Sequence, residues 1–183
     1  MTWDKSPWIE GGLRITRAAI AEVERDAIAG YEAEQEACGY IAGPDSDPLL
    51  CDRAVPIENL AKLLHKRDPV VYFRSPRTFF AFHERTLEAA LREGLGMNSP
   101  VKILYHSHLD VGAYLSGTDQ AVLSRGQAAR SEGGTGTLGP GPAWPLAFLV
   151  SSVKRGVSAP HVDDHKLFIW RAGAFEQSTF ELV

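Results

Sequence analysis

Two histidines one residue apart, His106 and His108, followed closely by Ser116 and Asp119, are the side chains best placed to do chemistry in this chain of 183 residues. The histidines end a β-like run, Val101-Lys102-Ile103-Leu104-Tyr105, whose alternation puts Val101, Ile103 and Tyr105 on one face and Lys102 on the other. Side-chain direction repeats every second residue in an extended segment, so the two imidazoles point the same way. After a short loop, Ser116 is of the type that caps a helix, with Asp119 in the first turn behind it. Two neutral imidazoles and one carboxylate, converging from a strand end and a helix start, make a three-ligand set for a zinc ion. Three protein ligands leave a fourth position for water, which marks a catalytic rather than a structural zinc site. Each part also has a plainer explanation. Ser-x-x-Asp before an apolar run is a common capping pattern, and a single histidine is usually a satisfied surface or core residue. The joint pattern is what carries the metal reading.

His106-Ser107-His108, seven residues, Ser116, two residues and Asp119 resemble the signature of the JAMM (MPN-plus) zinc metallopeptidases. Those enzymes also need an upstream glutamate, typically just before a Cys-Gly pair at the start of a strand. Glu36-Ala37-Cys38-Gly39-Tyr40-Ile41-Ala42-Gly43 matches that expectation. From the residues alone, Glu32 and Glu34 show that a charge run at a helix end explains any one glutamate. Glu36 is set apart by its place at the mouth of a strand rich in small residues. The resemblance runs from about Leu13 to the C-terminus. Leu109 and Leu115 stand where many members carry proline, which bears on subgroup and loop stiffness and not on the ligands.

The resemblance implies a fold: a single α/β, MPN-like (cytidine-deaminase-like) domain with a curved, mixed and largely antiparallel sheet, flanked by helices, and zinc at one end. It also implies a reaction. His106, His108 and Asp119 hold Zn2+, which brings the pKa of a bound water to about 7. Glu36 takes the proton from that water and passes it to the leaving amine. Ser116 donates to the developing oxyanion, a contribution commonly worth about a hundredfold to a thousandfold in rate. The implied substrate is the amide bond after the C-terminal glycine of a ubiquitin-like protein, or of a sulfur-carrier relative. One biological version is deconjugation or maturation in a bacterial conjugation pathway, as in antiphage defence, with activating and conjugating enzymes as further partners. Another is release of an amino acid such as cysteine from a sulfur carrier. A third, of a different class, is a non-catalytic MPN scaffold, although such relatives usually lack the ligands present here.

The bulk composition is that of an ordinary soluble globular protein. A formal net charge of −4 and the lack of a long basic run argue against a nucleic-acid partner. No apolar stretch is long enough for a membrane span, and Met1–Trp8 lacks the apolar core of a signal peptide, so a cytoplasmic location is expected. Cys38 and Cys51 make no disulfide framework and read as reduced core thiols.

Positioning the site falls to the elements around it. Residues 1–12 read as an irregular leader whose Trp3 and Trp8 dock on the domain or on a partner, and 13–183 as the domain itself. Thr16 caps a helix with Ile20, Val23, Ala27 and Tyr31 on one face, expected to run to about Gln35. A strand at 37–42 follows, and Leu49–Val55 is expected to return antiparallel to it. Residues 56–75 read as a mostly loop-like insertion containing Asn59 and the basic cluster His65-Lys66-Arg67. Arg77–Phe82 reads either as the start of a helix capped by Ser75-Pro76 or, the preferred reading, as a strand ahead of a helix from about His83 to Gly94. The helix through Asp119 is expected to reach about Ala129, and the glycine- and proline-rich segment 131–144 to be mobile. The resemblance makes the insertions near 56–78 and 131–144 the walls of the groove for a substrate tail. Residues 147–150 read as a buried strand, and 165–170 with 175–182 as a closing hairpin. His161 and His165, beside Asp163 and Asp164, could hold metal weakly, but a turn is the better reading.

Overall fold

A computed structural model describes residues 6–131, 134 and 136–183. Trp3 of the leader and three residues of the glycine-rich segment, Glu132, Gly133 and Thr135, lie outside the described residues. The elements in chain order are β1 (Leu13–Ile15), α1 (Arg17–Glu32), β2 (Cys38–Ala42), β3 (Leu50–Cys51), β4 (Arg53–Ile57), α2 (Ala61–Arg67) and α3 (Glu84–Gly96). They continue with β5 (Val101–Leu109), α4 (Gly117–Leu123), β6 (Ala147–Lys154), β7 (His161–Arg171), β8 (Ala174–Ser178) and β9 (Phe180–Leu182). Single 3-10 turns span Pro7–Glu10 and Pro76–Thr78.

The main sheet has the order β4-β2-β5-β6-β7-β8, and a small sheet has the order β3-β1-β9. Every junction of the main sheet is antiparallel except β5 to β6. That exception builds the site. Parallel neighbours need a crossover rather than a tight turn, and here α4 lies in the crossover. The start of α4 is thereby delivered to the C-terminal end of β5, where the histidines are.

The sheet is covered on both faces. Ile20 and Val23 of α1 pack with Ile41, Ile103, Tyr105 and Leu149 on one side. Leu87 and Leu91 of α3 and Leu123 of α4 pack with Leu104, Phe148 and Val150 on the other. Thr16 accepts from the Ala19 N–H at 3.1 Å, the cap expected for α1. Trp8 is buried, and its indole N–H donates to the Pro145 carbonyl at 2.8 Å. The result is the mixed, largely antiparallel α/β domain expected from the motifs. No helix among the described residues is long and apolar enough to cross a membrane. Cys38 and Cys51 are free, buried thiols.

Several elements differ from the sequence expectation, each for a physical reason. Val101 packs with Leu104 and not with Ile103 and Tyr105, because the β2–β5 register shifts between Ile41 and Ala42. Lys102 is fully buried, its ammonium donating to the carbonyls of Pro44, Asp47 and Leu50 at 2.7–3.0 Å. Residues 49–55 form two strands that separate at Asp52, one joining β1 in parallel and the other returning on β2. The insertion is not mostly loop: α2 occupies its centre, and the Asn59 side chain accepts from the Ala61 N–H at the start of that helix. Residues 79–82 are not a strand of either sheet, although α3 does begin behind His83.

α1 stops before Gln35, with Glu34 in the left-handed region. α4 stops at Leu123, well short of Ala129. Arg125 is left-handed (φ 62°), and the next residue, Gly126, lies so close to the backbone of residues 137–139 that no Cβ fits there. Residues 137–143 are tied to that helix end by hydrogen bonds from Thr137, Gly139, Gly141 and Ala143. The closing hairpin is β7 with β8, and the chain then leaves at Thr179 so that β9 pairs with β1. His161–His165 lies within β7, not in a turn.

Candidate metal centre

His106 and His108 end β5 on the face that carries Leu104, and both are buried. His106 lies opposite Cys38 of β2, and the ring of Phe80 stacks on its imidazole with centroids 4.5 Å apart. The His108 Nδ1 is 3.1 Å from the Gly112 carbonyl. A carbonyl only accepts, so Nδ1 carries the proton and Nε2 presents its lone pair.

Asp119 reaches the same point from the other side of the crossover. Its Oδ2 accepts from the Ser116 N–H at 2.9 Å, while the Ser116 Oγ accepts from the Asp119 N–H at 3.2 Å. The capping box is therefore real, and it is also what aims the carboxylate. Ser116 Oγ takes its bond as an acceptor, which leaves its own proton unspent.

The three ligand atoms form a nearly equilateral triangle. His106 Nε2 and His108 Nε2 are 3.2 Å apart, and Asp119 Oδ2 is 3.5 Å and 3.6 Å from them. Contacts of 3.5 Å and more are too long for good hydrogen bonds, so mutual bonding does not explain the cluster. A tetrahedral zinc with bonds of about 2.0–2.2 Å requires ligand atoms about 3.3–3.6 Å apart. The donor set therefore fits the ion in both chemistry and spacing. Among the described residues this is the one group of three or more His, Cys, Asp or Glu side chains that converges in this way.

Electrostatics prepare the ligands. Burial keeps the His106 imidazole from taking a proton, more strongly than Asp119 favours it, so the ring is neutral and able to ligate. Burial would raise the Asp119 carboxyl, but its polar neighbours His106, His108 and the Ser116 N–H outweigh burial and hold it well below its usual range.

Glu36 is buried beside this cluster. Burial, and then the negative charge of Asp119, push its carboxyl well above the usual range, with Arg74 opposing. Its backbone is held on every side. The Glu36 N–H donates to the Pro76 carbonyl at 3.0 Å, and the Glu36 carbonyl accepts from the Asn59 amide at 2.7 Å. The Ala37 N–H donates to Ser107 Oγ at 2.8 Å. Ser107, between the two histidines, faces the opposite way and fixes the residue after Glu36.

Glu36, His108, Ser116 and Asp119 line one cavity of about 400 Å³, together with Arg74, Arg77, Tyr114 and Thr118. The structure thus brings together all five residues singled out from the sequence, His106 as a buried side chain behind the cavity. Sequence reasoning missed Asn59 and Ser107 as the residues that hold Glu36, Phe80 as the ring against His106, and the arginines of the cavity wall. Of these only Ser107 had a local signal, since alternation places it opposite the two imidazoles.

The sequence of residues 14–160 matches the family model described as prokaryotic homologs of the JAB domain. The chain belongs to that family. The JAMM/MPN assignment made from the motifs therefore stands, in a family that holds zinc hydrolases as well as non-catalytic members. No curated protein matches the chain in sequence. Among solved structures it is similar to a Desulfitobacterium hafniense protein determined in solution, at 17% identity and a TM-score of 0.58, over 93% of this chain and 92% of that one. It is also similar to a JAB1/MPN domain protein from Archaeoglobus fulgidus, at 13% identity and a TM-score of 0.48, over 93% and 99% of the two chains. The first likeness supports the fold; the second is too loose to add to it.

Proposed function

We propose that this JAB-domain protein is a zinc-dependent isopeptidase or peptidase that hydrolyses the amide bond after the C-terminal glycine of a ubiquitin-like protein. The observation that carries the reading is the triangle of His106 Nε2, His108 Nε2 and Asp119 Oδ2, open to a cavity that also holds Glu36. Zinc bound there supplies a Lewis acid that makes a coordinated water acidic near neutral pH. The chain's own residues do the rest.

Glu36 accepts a proton from the attacking water and delivers it to the leaving amine. Burial, and then the charge of Asp119, raise its carboxyl pKa, the direction that makes a carboxylate a better proton acceptor. Asn59, Ser107 and the Pro76 carbonyl keep its backbone from swinging away. Ser116 turns its unspent hydroxyl proton to the oxyanion that forms at the scissile carbonyl. Phe80 and the sheet close the rear of His106, which limits the approach of water from that side.

The biological role we assign is deconjugation or maturation of a modifier in a bacterial ubiquitin-like pathway, with the modifier and its activating and conjugating enzymes as partners. The test is incubation of the zinc-loaded protein with fusions joined through Gly-Gly, with the fragments identified by mass. Cleavage after the second glycine, absent in Glu36→Gln, is the expected result. Intact fusions with fully loaded zinc would turn the reading toward a scaffold.

A further inference from the structure

The two arginines on the wall of the 400 Å³ cavity are not equivalent. Arg77 has its charge committed: it pairs with Glu34 and, at 2.7 Å, with Asp110, and it lies over the Tyr31 ring. Arg74 makes no ion pair among the described residues. Its guanidinium lies 5.6 Å from the centroid of the Phe73 ring. A guanidinium supported on an aromatic face keeps its N–H groups available for a planar acceptor. The other charged groups of the cavity have tasks already: Asp119 is turned to the histidines and Glu36 to the reacting water. Arg74, whose charge is felt by Glu36, is left without an ion-pair partner among the described residues on the wall of the cavity.

We propose that Arg74 receives a carboxylate carried by the substrate next to the bond that is cut. This deepens the hydrolase reading above and rests on it. A carboxylate meets a guanidinium through two parallel hydrogen bonds, a match that a neutral amide lacks. The group has two chemical sources: the α-carboxylate of a chain that ends one residue beyond the bond, or an Asp or Glu side chain there. Either source makes this site selective for an anionic neighbour to the amide. A ubiquitin-like tail joined to a lysine side chain would not supply one at that distance, whereas a tail ending in one extra amino acid would.

The experiment uses synthetic tails ending in Gly-Gly followed by alanine with a free carboxylate, by alaninamide, or by aspartic acid α-amide. kcat/KM is measured with the zinc-loaded wild type and Arg74→Met. Binding of the same peptides to zinc-loaded Glu36→Gln, and to that variant carrying Arg74→Met, is measured by calorimetry. A charge-assisted pair of this kind predicts that wild type prefers the free acid over the amide by about tenfold to a hundredfold, in rate and in binding. Arg74→Met should bring that ratio close to one. Preference for the aspartyl amide over alaninamide assigns the side-chain source; equal treatment of those two, with the free acid preferred, assigns the chain end.

The inference is overturned if wild type prefers neither the free acid nor the aspartyl amide over alaninamide. It is equally overturned if Arg74→Met weakens the charged peptides and alaninamide to the same extent, since Arg74 would then be acting on Glu36 and not on substrate. Absence of cleavage of every peptide counts against the hydrolase reading alone, and the binding ratios still decide the role of Arg74.

Discussion

Two clusters of histidine and aspartate lie at the main sheet, one where β5 meets the start of α4 and the other on β7 beyond β6, and among the described residues only the first brings three candidate ligand atoms together. His106, His108 and Asp119 leave three lone-pair atoms facing one another at 3.2–3.6 Å. His161, Asp163, Asp164 and His165 have the same residue types at closer spacing in the chain, yet they do not converge. Both ring nitrogens of His165 are in use, Nδ1 with Ser151 Oγ at 2.9 Å and Nε2 with Glu24 Oε1 at 3.2 Å. His161 is exposed at the far end of the same strand, beyond a register shift against β6. The difference lies in what the second nitrogen does. At the candidate metal centre the His108 Nδ1–H donates to a backbone carbonyl and leaves Nε2 free, whereas both nitrogens of His165 on β7 have partners.

The second cluster teaches a further point. Ser151, His165 and Glu24 form a chain of contacts resembling a serine-hydrolase triad. Ser151 is wholly buried, so no substrate carbonyl reaches its oxygen, and the arrangement serves to tie α1 to the sheet.

The contrast is broken most sharply by deleting one histidine from each cluster. His108→Ala should reduce bound zinc from stoichiometric to background and abolish hydrolysis, whereas His165→Ala should keep its zinc, as read by elemental analysis after dialysis. Loss of zinc from His165→Ala would mean that the second cluster binds the ion. Glu36→Gln comes next: zinc content stays that of wild type, while kcat falls by at least the roughly hundredfold to ten-thousandfold typical of a lost general acid–base. Near-normal turnover in that variant would remove Glu36 from the chemistry.

Ser116→Ala separates capping from catalysis. Loss of the oxyanion donor predicts a fall in kcat of about a hundredfold to a thousandfold, and loss of the cap about 1 kcal/mol of stability in chemical denaturation. A variant that loses only stability would leave Ser116 as a cap. The smallest effect belongs to His165→Phe, expected to cost about 1 kcal/mol through its two hydrogen bonds and to leave kcat/KM as it was.

Much of the metal centre was legible because its rules are local. A period of two places His106 and His108 on one face, and the Ser-x-x-Asp cap fixes where Asp119 begins its helix. What brings these parts together is not local. Nothing near Glu36 in the chain announces that Ser107, 70 residues from Ala37, will bind its N–H, or that Asn59 will take the Glu36 carbonyl. The fold shows the same limit. The face of Val101 was misread because the bulge at Ile41/Ala42 resets the alternation of β5. Lys102 was placed only by the same alternation, which does not show that three carbonyls of the 44–50 turn give its ammonium a buried home. The extent of α4 was overestimated because its end is set by residues 137–143 packing on Ser124 and Gly126.

The central claim is that His106, His108 and Asp119 grip one zinc ion and leave a position for water. X-ray absorption at the zinc edge of the purified protein tests it most directly. About one zinc per chain is expected, with a shell of two imidazole nitrogens and oxygens only at about 2.0–2.2 Å, and that spectrum is lost in Asp119→Ala. A folded protein that takes up no zinc, or a shell containing sulfur at about 2.3 Å, would contradict it.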